Sequence, residues 1–200
     1  MSHQWLSQQM SYLSLFVLLL SGCFIPLLAK TIHSEKQAQE DSMKIVYRPI
    51  GLFHTELTSQ TGAPRQGILQ PENKGTIEVY PQYQKALRDL EKYDYIIVLY
   101  HMHLSKGWHT PVRPPRSSRT FGLFASRSPN RPNSIGMSVI KLEKIEGNIL
   151  HVTGIDAFDR TPVLDIKPWI PSIDCPGWNR NLDVEKQLGL KKKKIASYIL

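Results

Sequence analysis

Cysteine is nearly missing from this chain: its 200 residues contain two, Cys23 and Cys175. Two thiols so far apart in sequence supply no disulfide framework and fit a reducing compartment. No G-x-G-x-x-G loop joins a strand to a helix, so a doubly wound dinucleotide site is unsupported. Helical periodicity is scarce, which excludes alternating βαβ units and leaves a mainly β fold as the expectation. No internal repeat is visible. Metal-ligand clusters are missing as well. His101, His103 and His109 stand without acid or cysteine company, and no metal is expected.

What the chain does have is positive charge. Lys and Arg number 25 against 17 Asp and Glu, a formal net charge of +8. Such a balance favours an acidic partner such as RNA without naming one. Residues 1–42 hold two basic and three acidic groups, so residues 43–200 hold 23 and 14. Four of those cations are the run Lys191 to Lys194, which by composition alone is a solvated tail. The hydrophobic share of 41% is ordinary for one globular domain with its own core.

Residues 1–42 differ in character from the rest. Tyr12 to Ala29 is an apolar run of 18 residues, at the lower edge of a membrane span. Leu20-Ser-Gly-Cys23 is similar to a bacterial lipoprotein processing site, yet no Lys or Arg precedes the run, as an export signal requires. The expectation is therefore translation from Met43 and a cytoplasmic protein. The alternatives are a membrane-anchored form, held through residues 12–29 or an acylated Cys23, and another kind of N-terminal appendage. The chain then divides into an extension (1–42), a folded domain (43–176) and a basic tail (177–200).

From Ile45 the pattern is that of strands. Ile45 to His54 is rich in branched and aromatic residues, and Pro49 within it marks an edge or a bulge. A loop from Thr55 to Ile68 carries Pro64-Arg65-Gln66, and a short strand follows at Thr76 to Tyr80. Gln82 to Tyr93 places Ala86, Leu87, Leu90 and Tyr93 at helical spacing, one amphipathic helix expected to plug or cover the strands. Asp94 to Leu104 opens as a near-continuous apolar strand, expected to be buried on both faces and to deliver His101 into a pocket. Phe121 to Ala125 is expected as a core strand. Val139 to Glu146 and Ile149 to Ile155 are two strands joined by a Gly147-Asn148 hairpin turn.

Three stretches carry candidate chemistry, and each has a plainer explanation beside it. Arg127-Ser-Pro-Asn-Arg131-Pro is a stiff turn presenting two guanidiniums, since both prolines fix φ; it serves equally as a structural turn. Asp156, Asp159 and Asp165 lie at and after a strand end, where carboxylates hold hydroxyls or amino groups, or simply cap loops. Lys106 to Arg119 is a proline-rich basic loop containing Trp108. It suits a phosphate backbone and a stacked base, or is a solvated insertion.

The segments SRSPNRPNSIGMSVIKLE and DRTPVLDIKPWIP closely resemble the TsaA/TrmO-type tRNA (adenine-N6) methyltransferases, and the PRQ tripeptide and GW…RPP loop match in the same order. The resemblance covers about 130 residues, Ile45 to Pro176. It implies a small closed or partly open β-barrel and S-adenosylmethionine as methyl donor. Pro64, Arg65, Gln66, His101, Met102, Arg127, Met137, Asp156, Ala157, Phe158 and Asp159 would line the cofactor site. Met102 stands where the family often has Gln or a hydrophobe, so a backbone contact is expected there. The implied substrate is tRNA bearing threonylcarbamoyladenosine 3′ of the anticodon, with Trp108, Arg113, Arg116, Arg119 and Arg131 as RNA contacts. Homodimers are also implied; no general base is identified. A barrel that binds cofactor or RNA without transferring a methyl group is the competing class.

Overall fold

The computed structural model of the protein describes residues 30, 32–34, 44–115 and 117–175. The apolar run at 12–29 with Cys23, the loop residue Arg116, and the tail beyond 175 with its lysine run lie outside the described residues. The chain divides into two compact units, Met1–Tyr47 and Arg48–Leu200. In the first, residues 32–34 are helical and 44–47 have no regular structure. Among the described residues no helix is long and apolar enough to cross a membrane.

The second unit is a closed barrel of six strands: β1 (Gly51–Thr55), β2 (Lys74–Val79), β3 (Tyr95–His101), β4 (Ile135–Glu146), β5 (Ile149–Thr153) and β6 (Pro162–Pro168). Around the wall the order is β1-β2-β5-β4-β3-β6, and every adjacent pair is antiparallel. Closure leaves no unpaired edge to be covered by other means. Alternation along each strand sends one set of side chains inward. Phe53, Ile77, Val79, Ile96, Val98, Ile140, Leu150, Val152 and Val163 are all buried there. Phe53 meets Tyr100 edge to face at 5.7 Å between ring centroids, a favourable aromatic geometry.

Several expectations are corrected. The first strand begins at Gly51, after Pro49, which has no N–H to give a ladder. The strand β3 is not buried on both faces: Ile96, Val98 and Tyr100 are buried while Tyr95, Ile97 and Leu99 are half-buried. Tyr95 is covered in part by Trp169, at 5.9 Å between centroids. Phe121–Ala125 is no core strand. Phe121 makes a single bridge to Val112, and Leu123–Ala125 is a 3-10 turn.

The amphipathic helix expected at Gln82–Tyr93 is instead two 3-10 segments, Pro81–Leu87 and Leu90–Lys92. They are separated by Arg88 in an extended conformation and Asp89 at φ 69°. Leu87 and Leu90 still both reach the core, as the spacing implied, although the continuous helix is lost. Asp89 tolerates the left-handed region better than most residues, and its carboxylate pairs with Arg88 at 3.3 Å and with Lys92. The hairpin expected at Gly147-Asn148 is present, with Gly147 at φ 66° and the Asn148 side chain donating to the Val79 carbonyl at 2.7 Å.

Leu150 is fully buried inside the barrel, with no polar group to compensate for lost contacts. Leu150→Ala is expected to lower unfolding free energy by about 2–5 kcal/mol, the range for a buried Leu with limited collapse around it. Urea denaturation of both proteins at one pH checks this.

Candidate functional site

Antiparallel closure decides where the candidate residues go. Because β1, β3 and β5 run one way and β2, β4 and β6 the other, the connections at 56–73, 102–134 and 154–161 all leave from one end. The register agrees: Thr55 pairs with Gly75, Lys74 with Thr153, and His101 with Ile135. The 3-10 segments of 81–92 and the 147–148 turn lie at the other end. A cleft of about 350 Å³ at that far end is lined by Ile50, Tyr83, Leu87, Leu90 and Pro168 among others, and it takes Asp165 away from the other two candidate acids.

Three loops that are distant in sequence thus meet, and specific contacts bind them. Arg127 donates through Nη1 to Gln66 Oε1, which joins the stiff SPNRP turn to the PRQ loop. Gln66 in turn donates to the Arg65 carbonyl at 2.7 Å, and Arg65 Nη1 donates to the Pro115 carbonyl at 3.1 Å. The expected cofactor loop and the basic loop are therefore in direct contact. Pro64, Arg65 and Gln66 are half-buried, while Arg127 is exposed.

The 154–161 loop is pinned by its own acids. Asp159 accepts from the Thr55 amide through Oδ1 at 3.1 Å, and Thr55 Oγ1 donates to the Ala157 carbonyl at 3.4 Å. Asp159 Oδ2 has no partner among the described residues. Asp156 is different. Its Oδ2 accepts from the Gly67 amide at 3.0 Å, and its Oδ1 accepts from Ser138 Oγ and, at 3.3 Å, from Tyr100 OH. Burial pushes the Asp156 carboxyl above the ordinary aspartate range, and the hydrogen bonds from Ser138, Gly67 and Tyr100 offset part of that rise. Tyr100 is held un-ionised by burial first and by the Asp156 charge second.

The remaining candidates differ in exposure and contacts. His101, the last residue of β3, is exposed and not enclosed as expected, because alternation along β3 turns Tyr100 and not His101 to the buried side. Burial, with a smaller effect from His101, lowers the pKa of His103. Met102 packs its side chain on the core and already donates its amide to the Ser134 carbonyl at 2.8 Å. Met137 is exposed beside Ile135 at the start of β4, and Phe158 is half-buried.

In the basic loop, Arg113 and Arg119 are exposed, as is Trp108 with 57% of its surface accessible. Paired backbone hydrogen bonds between Val112 and Phe121, each 2.9 Å, draw residues 113–120 into an excursion. Arg131 is half-buried, donates to the Ser126 carbonyl at 3.0 Å and lies 5.5 Å from the Phe124 ring centroid. Its guanidinium thus also holds the turn. Among the described residues no group of three or more His, Cys, Asp or Glu side chains converges on a metal position. Tyr100, Ser138 and Gly67 were not among the sequence candidates. The available signal was a serine at an inward position of β4, where alternation otherwise places aliphatic residues.

Residues 52–175 match a family described as the tRNA-methyltransferase O N-terminal domain, TrmO_N. The chain belongs to the TrmO family. It is 40% identical over 132 residues to a "Probable S-adenosyl-L-methionine-binding protein" of Pyrococcus abyssi, covering 66% of this chain and 72% of that one. It is 33% identical over 147 residues to the tRNA (adenine(37)-N6)-methyltransferase of Mus musculus, covering 70% of this chain and 33% of the mouse protein. A crystal structure of TrmO from Pseudomonas aeruginosa superposes with a TM-score of 0.58 at 35% identity, covering 70% of this chain and 62% of that one. The chain therefore spans a third to three quarters of the length of these relatives. The barrel expected from family resemblance is the barrel observed.

The raised pKa of Asp156 makes a pH prediction. A folded-state pKa above the unfolded value stabilises the fold at low pH and is lost as pH rises through that window. Urea denaturation across a pH series should show wild-type stability, relative to Asp156→Asn, declining from the ordinary aspartate range up to the raised value and level above it.

Proposed function

We propose that this protein transfers a methyl group from S-adenosyl-L-methionine to the N6 nitrogen of an adenine in tRNA. We further infer that the adenine is threonylcarbamoyladenosine at position 37, beside the anticodon. The observation that carries the reading is the convergence of the PRQ, SPNRP and DAFD segments at one barrel end, with Arg127 on Gln66.

The residues at this end suit such a cofactor. Arg127 is exposed, and its planar guanidinium is matched to the methionine carboxylate in two-point contact. Asp159 keeps Oδ2 for a ribose hydroxyl, whereas both oxygens of Asp156 are taken up inside the protein. Ile68, Leu69 and Met137 offer exposed apolar surface to an adenine ring. When bound, the cofactor supplies an electrophilic methyl on a sulfonium, open to in-line attack by a nitrogen lone pair.

The protein's own task is positioning, which is worth up to ~7–11 kcal/mol in favourable cases. Trp108, Arg113 and Arg119 are exposed, which supports stacking of a base splayed from a single-stranded loop on Trp108 and phosphate contacts by the two arginines. Arg116 is assigned the same role from the sequence. No side chain is assigned as general base. The protein is expected to act in the cytoplasm as a homodimer, since the substrate is tRNA and the family resemblance implies dimers.

Arg127→Ala is expected to raise the cofactor dissociation constant about tenfold or more, the size of a lost charged two-point contact. Calorimetric titration with S-adenosyl-L-methionine checks it, and an unchanged constant removes Arg127 from the site. For the reaction itself, nucleosides of total tRNA should be compared by mass spectrometry in a deletion strain with and without a plasmid expressing residues 43–200. Loss of the methylated threonylcarbamoyl nucleoside on deletion and its return with the plasmid support the proposal. A nucleoside unaffected in a strain lacking paralogues refutes it. Cofactor affinity without methylation of any tRNA would favour the binding barrel.

A further inference from the structure

We propose that Asp156, Ser138 and Tyr100 form a positioning lock that sets the PRQ loop, and that the Asp156 carboxylate itself does not touch the cofactor. The proposal rests on the cofactor reading above and refines it. Each oxygen of Asp156 is engaged from within the protein: Oδ2 by the Gly67 amide at 3.0 Å, Oδ1 by Ser138 Oγ and by Tyr100 OH at 3.3 Å. Its own backbone amide also contributes. A carboxylate offers about four acceptor positions, so little remains for a ribose hydroxyl.

The donors come from three different elements. Tyr100 is next to last in β3, Ser138 lies in β4, and Gly67 follows directly after Gln66 in the 56–73 connection. Tyr100 OH and Ser138 Oγ are also within 3.1 Å of each other, so the two hydroxyls share one network. Ser138 is buried, with 4% of its surface accessible, as is Tyr100 at 8%. Burial of this kind makes an unmade hydrogen bond costly, and the network selects one arrangement of the loop.

Backbone packing at Gly67 and Gly136 is just as restrictive. A Cβ on Gly67 would stand 1.6 Å from the Gly154 carbonyl oxygen, so the PRQ loop and the 154–161 loop pack backbone to backbone. A Cβ on Gly136 would stand 2.2 Å from the Tyr100 ring, which therefore lies flush against β4. The lock fixes Gly67, Gly67 fixes its neighbour Gln66, and Gln66 receives Arg127. Asp156, Ser138 and Tyr100 are thus positioning residues, acting on the cofactor through the loop.

The test uses the full chain and three variants, Ser138→Ala, Tyr100→Phe and Asp156→Asn, plus the Ser138→Ala/Asp156→Asn double. Titration with S-adenosyl-L-methionine should give a dissociation constant about fivefold to tenfold higher for each single variant, as for a lost buried hydrogen bond. The double variant should lose no more than Asp156→Asn alone, because the residues act as one unit. NMR exchange of the Gly67 amide without cofactor should quicken by about tenfold in each variant. Affinity for tRNA, measured by filter binding, should fall by a smaller factor than cofactor affinity, since the lock reaches the basic loop indirectly, through the Arg65–Pro115 contact.

If only Asp156→Asn weakens cofactor binding, Asp156 is a direct ligand and the lock is wrong. If tRNA affinity and thermal midpoint fall in step with cofactor affinity, the cluster is a general stability element and the lock is equally wrong. If the folded wild-type protein binds no S-adenosyl-L-methionine, the cofactor reading fails first. In that case unchanged Gly67 exchange in the variants would refute the lock separately.

Discussion

Every strand in the barrel is antiparallel to both neighbours, and most of what this protein presents to a ligand follows from that constraint. Six strands in strict alternation send three connections to one end and two to the other. The three connections at the first end have 18, 33 and eight residues by their bounds 56–73, 102–134 and 154–161, the first two being the longest in the barrel. Long loops at one end of a rigid wall can carry recognition without disturbing the core beneath them. The opposite end is closed by the two 3-10 segments and a two-residue turn.

Within the active end, charge is handled in two ways. Arg113 and Arg119 of the basic loop are exposed, while Arg65 and Arg131 are half-buried and donate to the Pro115 and Ser126 carbonyls, contacts that water could replace. Such contacts contribute little to stability and leave guanidinium donors available to an acidic partner. Asp156 is the opposite case. Its desolvation is large enough to raise its pKa, and it is tolerated because donors from two strands and a loop converge on it. A buried carboxylate satisfied in this way ties the loop to the barrel more specifically than an apolar contact would.

The proposed role at tRNA fits this division. A phosphate backbone would be met by exposed cations and an exposed indole, for which exact geometry matters little. A sulfonium cofactor must be held with its methyl directed at one nitrogen, for which the loop geometry matters a great deal. The network around Asp156 lies under the second of these functions and not the first.

The amino-acid sequence by itself determined the β character of the chain, the hairpin at Gly147-Asn148 and the family, because these depend on alternation, turn chemistry and motifs contained in short segments. It also marked Arg127, Gln66 and Asp159, whose types suit the chemistry. It did not determine the form of residues 81–93. Their apolar spacing is satisfied by an α-helix, yet the chain forms two 3-10 segments parted at Asp89 that bring Leu87 and Leu90 to the same core. Nor did it separate Asp156 from Asp159: two acids three residues apart look alike until Gly67, Ser138 and Tyr100, from 18 to 89 positions away, close on one of them. Only tertiary structure decided that, since burial and hydrogen-bond partners are set by which strands are neighbours and not by what is adjacent along the chain.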